Sequence, residues 1–244
     1  MKSSMSRRSL ILGAGTVGLA GAFAAARKFG LTMDTLMPAF AAVDDSASER
    51  FEKLVFHAGS RARQEPDRAK TKGAAFPAYF LGDAPPKIPE GWRLEVGGMS
   101  NRKLLLTLED LQRLPRTDIR VRHYCVEGWS AVADWHGVQL SEIARICGAD
   151  PKAACVQFDT FDVDADGTAY STSWDRESGL HSQTILAYGM NGAPLSAQHG
   201  APVRLYSGVK LGYKTAKYLT SVKFTPDPTG GYWEDQGYEW FAGV

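Results

Sequence analysis

The stretch Arg122–Gly137, RHYCVEGWSAVADWHG, places a single cysteine among histidines and tryptophans. Apolar and polar residues alternate up to Cys125, which predicts a strand that ends there. Side chains at strand ends and in the loops that follow are common functional residues, because a rigid sheet positions them. Residues two apart on a strand share a face, so His123 and Cys125 are predicted to point the same way.

Three interpretations of Cys125 follow from the residues alone. Cysteine outside a disulfide is among the most buried residue types, so an inert core thiol is one interpretation. A nucleophile is the second, with His123 or His136 stabilising the thiolate. The third is a ligand to a soft metal that has other sulfur ligands. The sequence leaves all three open at this point.

The composition is that of an ordinary globular protein. The chain has 244 residues, of which 44% are hydrophobic and 23% charged, and its 28 basic and 27 acidic side chains give a formal net charge of +1. Neither a large positive charge nor a basic run is present, so we expect no nucleic-acid partner. Three cysteines are too few for a disulfide framework and lack the paired spacing of a structural zinc site.

Residues 1–41 are predicted to be an export signal and not part of the fold. The pair Arg7-Arg8 precedes an apolar stretch, residues 10–26, in the manner of a twin-arginine signal, and AFA at 39–41 offers a cleavage site. A general secretory signal or an uncleaved membrane anchor is the alternative. The twin-arginine machinery exports folded proteins, commonly with a cofactor inserted, so a periplasmic cofactor protein is expected.

The rest of the chain is predicted to be one α+β domain with a mixed, mostly β core. Residues 42–90, charged and then proline-rich, are predicted to be an extended segment that wraps over the core, and residues 91–244 to be the domain itself. Strands outnumber helices and do not alternate with them. The predicted strands are WRLEVGG, IRVRHYCV, ACVQFDTF, TILAYGMNG, APVRLYSG and YLTSVKFTP.

Two stretches are predicted to be helices from their end signals. LTLEDLQRLP has Thr107 as N-cap with Asp110 three residues later, and it stops at Pro115. LSEIARICG has Ser141 as a candidate cap and Gly148 just beyond its last turn.

The segment from 191 to 224 is basic and contains no acidic residue. It carries Arg204, Lys210, Lys214 and Lys217 among glycines and hydroxyl residues, which suits an anionic group such as a phosphate. A solvated strand and turn with ordinary surface lysines is the alternative interpretation.

Three blocks in this order resemble the molybdopterin-binding domain of the sulfite oxidase family. They are CVEGWS from Cys125, AYGMNGAPLSAQHGAPVRLYS from Ala187 and GYKTAKYLTSVKF from Gly212. The first block is most similar to that of the bacterial periplasmic protein-methionine-sulfoxide reductases. The resemblance runs from about Trp92 to the C-terminus, and it implies a single domain with the mostly β core of that family.

The resemblance implies a molybdenum-molybdopterin cofactor, one molybdenum per chain, and the residues that bind it. Cys125 becomes the protein thiolate on the metal. Thr160 reaches the pterin, and Arg204 binds the phosphate-bearing end. The further cofactor contacts that it implies are His199, Thr215, Ala216 and Lys217.

Tyr170 resembles the active-site tyrosine of the sulfite oxidases, where a phenol donates a hydrogen bond or relays a proton. A half-buried strand tyrosine is the alternative. His199 is also of the sulfite oxidase type, since the reductases usually have Asn there. The arginine cluster that binds sulfite in the oxidases is not evident.

The function predicted from these likenesses is oxygen-atom transfer, with reduction of a sulfoxide such as methionine sulfoxide favoured. Sulfite dehydrogenation, a cofactor-binding protein without activity, and a cysteine hydrolase are the alternatives. The sequence has no C-x-x-C-H motif. We therefore expect electrons to be exchanged with a redox partner such as a membrane haem protein or a cytochrome.

The remaining motifs have mostly structural interpretations. Cys147 and Cys155 could pair in an oxidising compartment, although Cys147 fits a helix core equally well. DVDADG at 162–167 lacks the closing Glu of a calcium loop and is predicted to be a turn. His57 and His181 are predicted to be exposed, and Trp129 and His136 to form part of the pocket wall. Trp233, Tyr238 and Trp240 are predicted to pack the C-terminus onto the core or to line the pocket mouth. Phe76, Tyr79 or Phe80 is predicted to cover the cofactor.

Overall fold

Two β-sheets carry the part of the chain that the computed structural model describes, residues 61–71 and 76–244. The predicted export signal, residues 1–41, and His57 lie outside the described residues. No helix within 61–71 and 76–244 is long and apolar enough to cross a membrane.

Ten strands and three short α-helices follow one another in the described residues. The strands are β1 (Leu94–Gly98), β2 (Leu104–Leu106), β3 (Arg116–Tyr124), β4 (Ser130–Gln139), β5 (Cys155–Val163), β6 (Ala169–Asp175), β7 (Thr184–Met190), β8 (Ala193–Pro194), β9 (Arg204–Ser207) and β10 (Leu219–Thr225). The helices are α1 (Leu108–Gln112), α2 (Leu140–Cys147) and α3 (Arg176–Gly179). Short 3-10 turns occur at Asp67–Ala69, Ala197–His199, Gly212–Lys214 and Glu234–Gln236.

The first sheet has the strand order β2-β1-β10-β5-β6, and the second has β3-β4-β7-β8 with β9 also paired to β7. Only β1 and β10 pair in parallel among these strands. The prediction of a mixed, mostly β core in a single α+β domain is confirmed.

A hydrophobic core joins the two sheets to α2. Val96, Phe158 and Trp174 of the first sheet contribute to it together with Leu186 and Leu205 of the second, and each is fully buried. A second apolar cluster, built around Trp135 of β4, lies on strands of the second sheet. Its edge reaches the site described below.

The helix ends follow their local signals with one exception. Thr107 caps α1 in a capping box, because its side chain accepts the Asp110 N–H and Asp110 accepts the Thr107 N–H. Gly148 ends α2 in the left-handed conformation at φ 66°. Both predictions are confirmed, whereas Ser141 lies inside α2 and the N-cap residue is Gln139.

The described part of the N-terminal segment runs along the β3–β4 hairpin. The Glu65 N–H donates to Arg120 O at 2.9 Å, and the Thr71 N–H donates to Val132 O at 2.8 Å. Around them, Arg120 and Lys70 both pair with Asp134, the latter at 3.0 Å. These contacts hold residues 65–71 against the hairpin, and Phe76, further along the chain, is buried.

Three predictions about individual residues are settled by the packing. The prediction of an exposed His181 is wrong, since its side chain is 2% exposed and its Nδ1 accepts the Gln183 N–H. Cys147 and Cys155 form no disulfide, and the Cys147 thiol lies 3.4 Å from Ala144 O in the core. DVDADG is a turn from Asp164 onward, because Asp164 accepts two backbone N–H groups of the β5–β6 connection, whereas Asp162 and Val163 end β5.

A bulge at Tyr188 of β7 lies opposite a glycine of β4. The register of β4 against β7 shifts between His136 and Gly137, and a Cβ on Gly137 would lie 2.1 Å from the Leu186 carbonyl oxygen. That oxygen belongs to backbone, so the strands must separate to admit a methyl group.

We therefore expect Gly137→Ala to lower the free energy of unfolding by about 1–3 kcal/mol in urea denaturation. Gly97→Ala is the matched control, since a Cβ there meets only the Lys103 side chain at 3.5 Å. Equal losses in the two variants would contradict the role given to the bulge.

Candidate active site

A cavity opens between the two sheets, beside the tip of the β3–β4 hairpin. The first sheet lines it with Asp162 and Tyr170, and the second with His123 and Arg204. The segment 76–79 and the C-terminal residues Trp233 and Tyr238 complete its wall. The cavity volume is about 190 Å³.

Six of the eight predicted site residues line this one cavity. They are Cys125, Tyr170, His199, Arg204, Thr215 and Lys217. Cys125 and Lys217, 92 positions apart in sequence (217 − 125), are thereby brought to one surface. Their individual roles stay predictions, but their proximity is now a property of the fold.

Thr160 and Ala216 lie behind the wall and not in it. The Thr160 hydroxyl donates to Tyr170 O at 2.8 Å and accepts the Asp162 N–H at 3.2 Å, so it fixes two cavity residues. The Ala216 carbonyl accepts the Leu205 N–H at 2.7 Å. Their predicted cofactor contacts therefore have only the sequence resemblance behind them.

Cys125 lies in the tight turn that joins β3 to β4. Its N–H donates to Trp129 O at 3.0 Å, and its carbonyl accepts the Gly128 N–H at 3.1 Å. Gly128 has φ 90°, which favours glycine. The turn leaves the thiol half-buried at the cavity wall, so the interpretation as an inert core thiol is not supported.

The surroundings of Cys125 favour the protonated thiol over the thiolate in the absence of a nearby cation. Burial raises the pKa of the thiol, and the nearby Glu127 carboxylate, 3.7 Å from Sγ, raises it further. Trp129 Nε1 donates to the same carboxylate at 2.9 Å and holds it in place. A bound metal ion would supply the positive charge that a thiolate needs here.

Arg204 is a buried cation with an unusual set of partners. Its guanidinium donates to His199 O at 3.1 Å, to Thr215 O at 3.1 Å and to Thr215 Oγ1 at 3.0 Å, and it lies 4.8 Å from the centroid of the Trp135 ring. No carboxylate of the described residues pairs with it. Burial lowers the pKa of Arg204 to about 10, so it remains charged at neutral pH.

Lys217 places a second cation at the same wall. Its Nζ donates to Gln198 O at 3.1 Å and lies 5.3 Å from the centroid of the Phe80 ring. Burial, followed by the charge of Arg204, lowers the pKa of Lys217 to about 7, and the Asp162 carboxylate opposes that shift. Lys217 therefore changes charge near neutral pH.

Two lysines of the basic segment have structural roles instead. Lys210 pairs with Asp175 at 3.1 Å and lies over the Phe241 ring, and Lys214 pairs with Glu234. Neither lines the cavity. Of the four basic residues, only Arg204 and Lys217 therefore remain candidates for anion binding. Neither anion binding nor the interpretation as ordinary surface lysines holds for the whole segment.

The donor set of the cavity fits an anionic, metal-bearing group. Arg204 and Lys217 offer positive charge and form no ion pair with a carboxylate of the described residues, and Cys125 offers one soft ligand. Across 61–71 and 76–244, no cluster of three or more His, Cys, Asp and Glu side chains could hold a metal ion. A metal at Cys125 would thus need ligands that the bound group brings with it.

Tyr170 is held by a hydrogen bond within the protein. Its hydroxyl donates to Tyr213 O, and burial raises its pKa well above the usual range. The phenol therefore keeps its proton at physiological pH. Proton transfer through Tyr170 requires that this hydrogen bond be exchanged for one to a ligand.

Aromatic side chains form the rest of the wall. Phe76 is 4% exposed, and its ring centroid lies 5.5 Å from that of His123 and 5.7 Å from that of His199. Tyr79 and Trp129 also line the cavity. His136 does not, because it packs against Tyr188, so its predicted place in the wall is wrong.

Sequence reasoning did not assign Glu127 or Asp162 to the site, and it treated His123 only as a partner for the cysteine. The strand periodicity of β3 did place His123 on the face of Cys125, and both line the cavity. Burial of Asp162 raises the pKa of its carboxyl group, which accepts the Leu81 N–H at 3.2 Å. That long-range contact has no local signal in the sequence.

Comparison with known proteins agrees with this geometry. A family model described as the oxidoreductase molybdopterin binding domain matches residues 82–233. A protein of Azospira oryzae, provisionally named protein-methionine-sulfoxide reductase subunit YedZ1, is 39% identical over 202 residues, which are 81% of this chain and 75% of that protein.

Two further relatives are similar over shorter shares of their length. The protein-methionine-sulfoxide reductase catalytic subunit MsrP of Xanthomonas axonopodis pv. citri is 34% identical over 166 residues, 63% of this chain and 52% of that protein. The crystal structure of the sulfane dehydrogenase SoxCD from Paracoccus pantotrophus aligns with a TM-score of 0.50 at 23% identity, covering 57% of this chain and 39% of that chain. The structural likeness supports the fold alone.

The two cavity cations predict pH-dependent anion binding to the ligand-free protein. Sulfate, which does not titrate between pH 6 and 9, should raise the melting temperature more at pH 6 than at pH 9. The reason is that Lys217, with a pKa of about 7, is charged below that pH and neutral above it. We expect the affinity for sulfate to fall about tenfold across this range.

The variant Lys217→Met should lose the pH dependence and keep the weaker binding that Arg204 provides. Lys223→Met is the matched control, since Lys223 is half-exposed and pairs with Asp159 away from the cavity. A sulfate effect of equal size at both pH values in the unmodified protein would contradict the assignment.

Proposed function

The chain belongs to the oxidoreductase molybdopterin-binding domain family, and from this premise we propose that it is a periplasmic enzyme that reduces a sulfoxide, such as methionine sulfoxide. The reaction consumes two electrons and two protons and yields the sulfide and water. When bound, the molybdenum cofactor supplies the two-electron redox chemistry of the reaction. We propose one molybdenum per chain.

The observation that carries the proposal is the shared cavity of Cys125, Arg204 and Lys217. The thiolate of Cys125 would hold the metal, and the two cations would hold the phosphate-bearing end of the cofactor. The Thr215 hydroxyl donates to Gly212 O at 2.7 Å and so fixes the turn that lies between Arg204 and Lys217 in the chain. The protein thereby contributes orientation, charge complementarity and exclusion of water.

The preference for a sulfoxide over sulfite rests on charge. Glu127 places an exposed carboxylate within 3.7 Å of the Cys125 thiol, and the cations of the cavity are assigned to the cofactor. Sulfite carries negative charge near neutral pH and would be repelled by Glu127, whereas a sulfoxide is neutral. The names of two relatives point the same way.

Sulfite dehydrogenation is the second candidate, and His199 favours it. This residue, of the sulfite oxidase type in the sequence, lines the cavity, where burial and then the charge of Arg204 lower its pKa to about 4. It is therefore neutral at physiological pH. Reduced viologen with methionine sulfoxide, and ferricyanide with sulfite, assay the two directions on the same purified protein.

We expect turnover with methionine sulfoxide and little with sulfite, in protein expressed in a host that makes the cofactor. Sulfite turnover alone would replace the proposal by the second candidate. Stoichiometric molybdenum with no turnover of either substrate would indicate a cofactor-binding protein without activity. Hydrolysis of an ester or amide substrate by protein that lacks molybdenum would favour a cysteine hydrolase.

The role of Cys125 is tested by Cys125→Ala. Loss of the metal-binding thiolate should abolish turnover with methionine sulfoxide and leave the fold and most of the pterin in place, measured by circular dichroism and by pterin fluorescence. Cys147→Ala is the control, because that thiol is buried outside the cavity. An active Cys125→Ala variant with a full complement of molybdenum would refute the assignment.

Export is proposed from the twin-arginine pair, which lies outside the described residues. Replacing Arg7 and Arg8 together by lysine should retain the protein in the cytoplasm, because that machinery recognises the arginine pair. Cell fractionation measures this, and unchanged export would favour the general secretory route. The redox partner, a membrane haem protein or a cytochrome, is proposed from the absence of a haem motif in the chain.

A further inference from the structure

His123 is a buried histidine whose side chain has aromatic neighbours on several sides. It occupies the second-last position of β3 and is 7% exposed. Its ring centroid lies 5.5 Å from that of Phe76, 5.5 Å from that of Trp129 and 6.0 Å from that of Tyr206. These neighbours come from three separate parts of the chain, so the position of the imidazole is well determined.

This imidazole has no hydrogen-bond partner among residues 61–71 and 76–244. Nδ1 is buried and unpaired, and no described residue forms a hydrogen bond to Nε2. Buried side-chain polar atoms in folded proteins are nearly always hydrogen-bonded, because the lost hydration must be replaced. Trp135 Nε1 and the Tyr206 hydroxyl are also buried and unpaired in this part of the chain, and His123 is the one of these three residues that lines the cavity. Its unpaired imidazole therefore points to a group that is bound there when the protein functions.

The cavity is the place where such a group would lie. His123 lines it, together with Cys125 two residues later on the same face and Arg204 on the neighbouring wall. Trp135 and Tyr206 stack on each other beneath it at 4.1 Å and do not line the cavity. Among His123, Trp135 and Tyr206, His123 is thus the residue that lines the cavity.

The backbone opposite is adapted to admit the imidazole. A Cβ on Gly212 would lie 2.5 Å from His123 Nε2 and 3.0 Å from Cε1. Only a glycine leaves room for the ring at its present position. Gly212 belongs to the same turn as Thr215, which Arg204 holds.

We propose that His123 is a cofactor-binding residue, which donates a hydrogen bond to, or accepts one from, the pterin part of the molybdenum cofactor between Cys125 and Arg204. The inference rests on the cofactor binding of the proposed function. It adds a polar contact from β3 that the sequence resemblance does not assign.

The test compares His123→Asn with His123→Leu. The two side chains have the same branched shape and leave similar empty space, but only the asparagine amide offers a hydrogen bond near the position of Nδ1. Molybdenum and pterin are measured per chain after expression in a cofactor-competent host and again during dialysis. The melting temperature is measured on cofactor-free protein from a host that cannot make the cofactor.

We expect His123→Leu to release the cofactor about tenfold faster than the unmodified protein and His123→Asn to release it at a rate closer to that of the unmodified protein. The cofactor-free melting temperatures of the two variants should be similar. His136→Leu is the matched control, since this second buried histidine lies on β4 outside the cavity, and its cofactor retention should be unchanged.

Equal retention in all three histidine variants and the unmodified protein would overturn the inference. Equal loss in His123→Asn and His123→Leu would also overturn it, because shape and not hydrogen bonding would then explain the effect. If the unmodified protein carries no molybdenum or pterin, the proposed function fails first, and the inference fails with it.

Discussion

The site is organised around the burial of Arg204, which pairs with no carboxylate in the part of the chain that the structure describes. A charged group inside a protein is costly unless it is paired or fully hydrogen-bonded. Here backbone carbonyls, the Thr215 hydroxyl and the face of Trp135 take the place of a counter-ion. These partners orient the guanidinium but do not neutralise it. The positive charge is therefore available to a ligand, and Lys217 adds to it.

The sheets bring this charge to the single cysteine of the hairpin. Arg204 begins β9, which pairs with β7, and β7 pairs with β4, whose hairpin with β3 carries Cys125. The soft ligand and Arg204 thus belong to one sheet and its hairpin, so their separation is fixed by strand pairing, whereas Lys217 lies on the connection that leads into β10 of the first sheet. Tyr170 and Asp162 approach from the other sheet. A group held by the second sheet would have the first as its opposite wall.

Local patterns predicted the parts of this fold that are governed by local physics. Alternation predicted β3, and the Thr107 capping box and Gly148 marked the helix ends. The strand β4 was missed, because it is buried on both faces and shows no alternation. Within the site, Cys125 and Arg204 were singled out from their own segments, and the resemblance supplied their roles. Contacts between distant residues could not be predicted from local patterns. Asp162, a cavity residue, accepts the N–H of Leu81, which lies 81 residues earlier in the chain.

The difference between local patterns and long-range contacts also explains why the role of the basic segment was only partly predicted from its sequence. Charge spacing could not separate Lys210 and Lys214, whose carboxylate partners lie 35 and 20 residues away, from the two cations without such partners. Pairing removes a cation from ligand binding, and the fold determines which cations are paired. Because the exposed Glu127 adds negative charge beside the thiol, the cavity has two cations on one wall and a carboxylate near Cys125. An arrangement of this kind suits an anionic resident group and a neutral substrate.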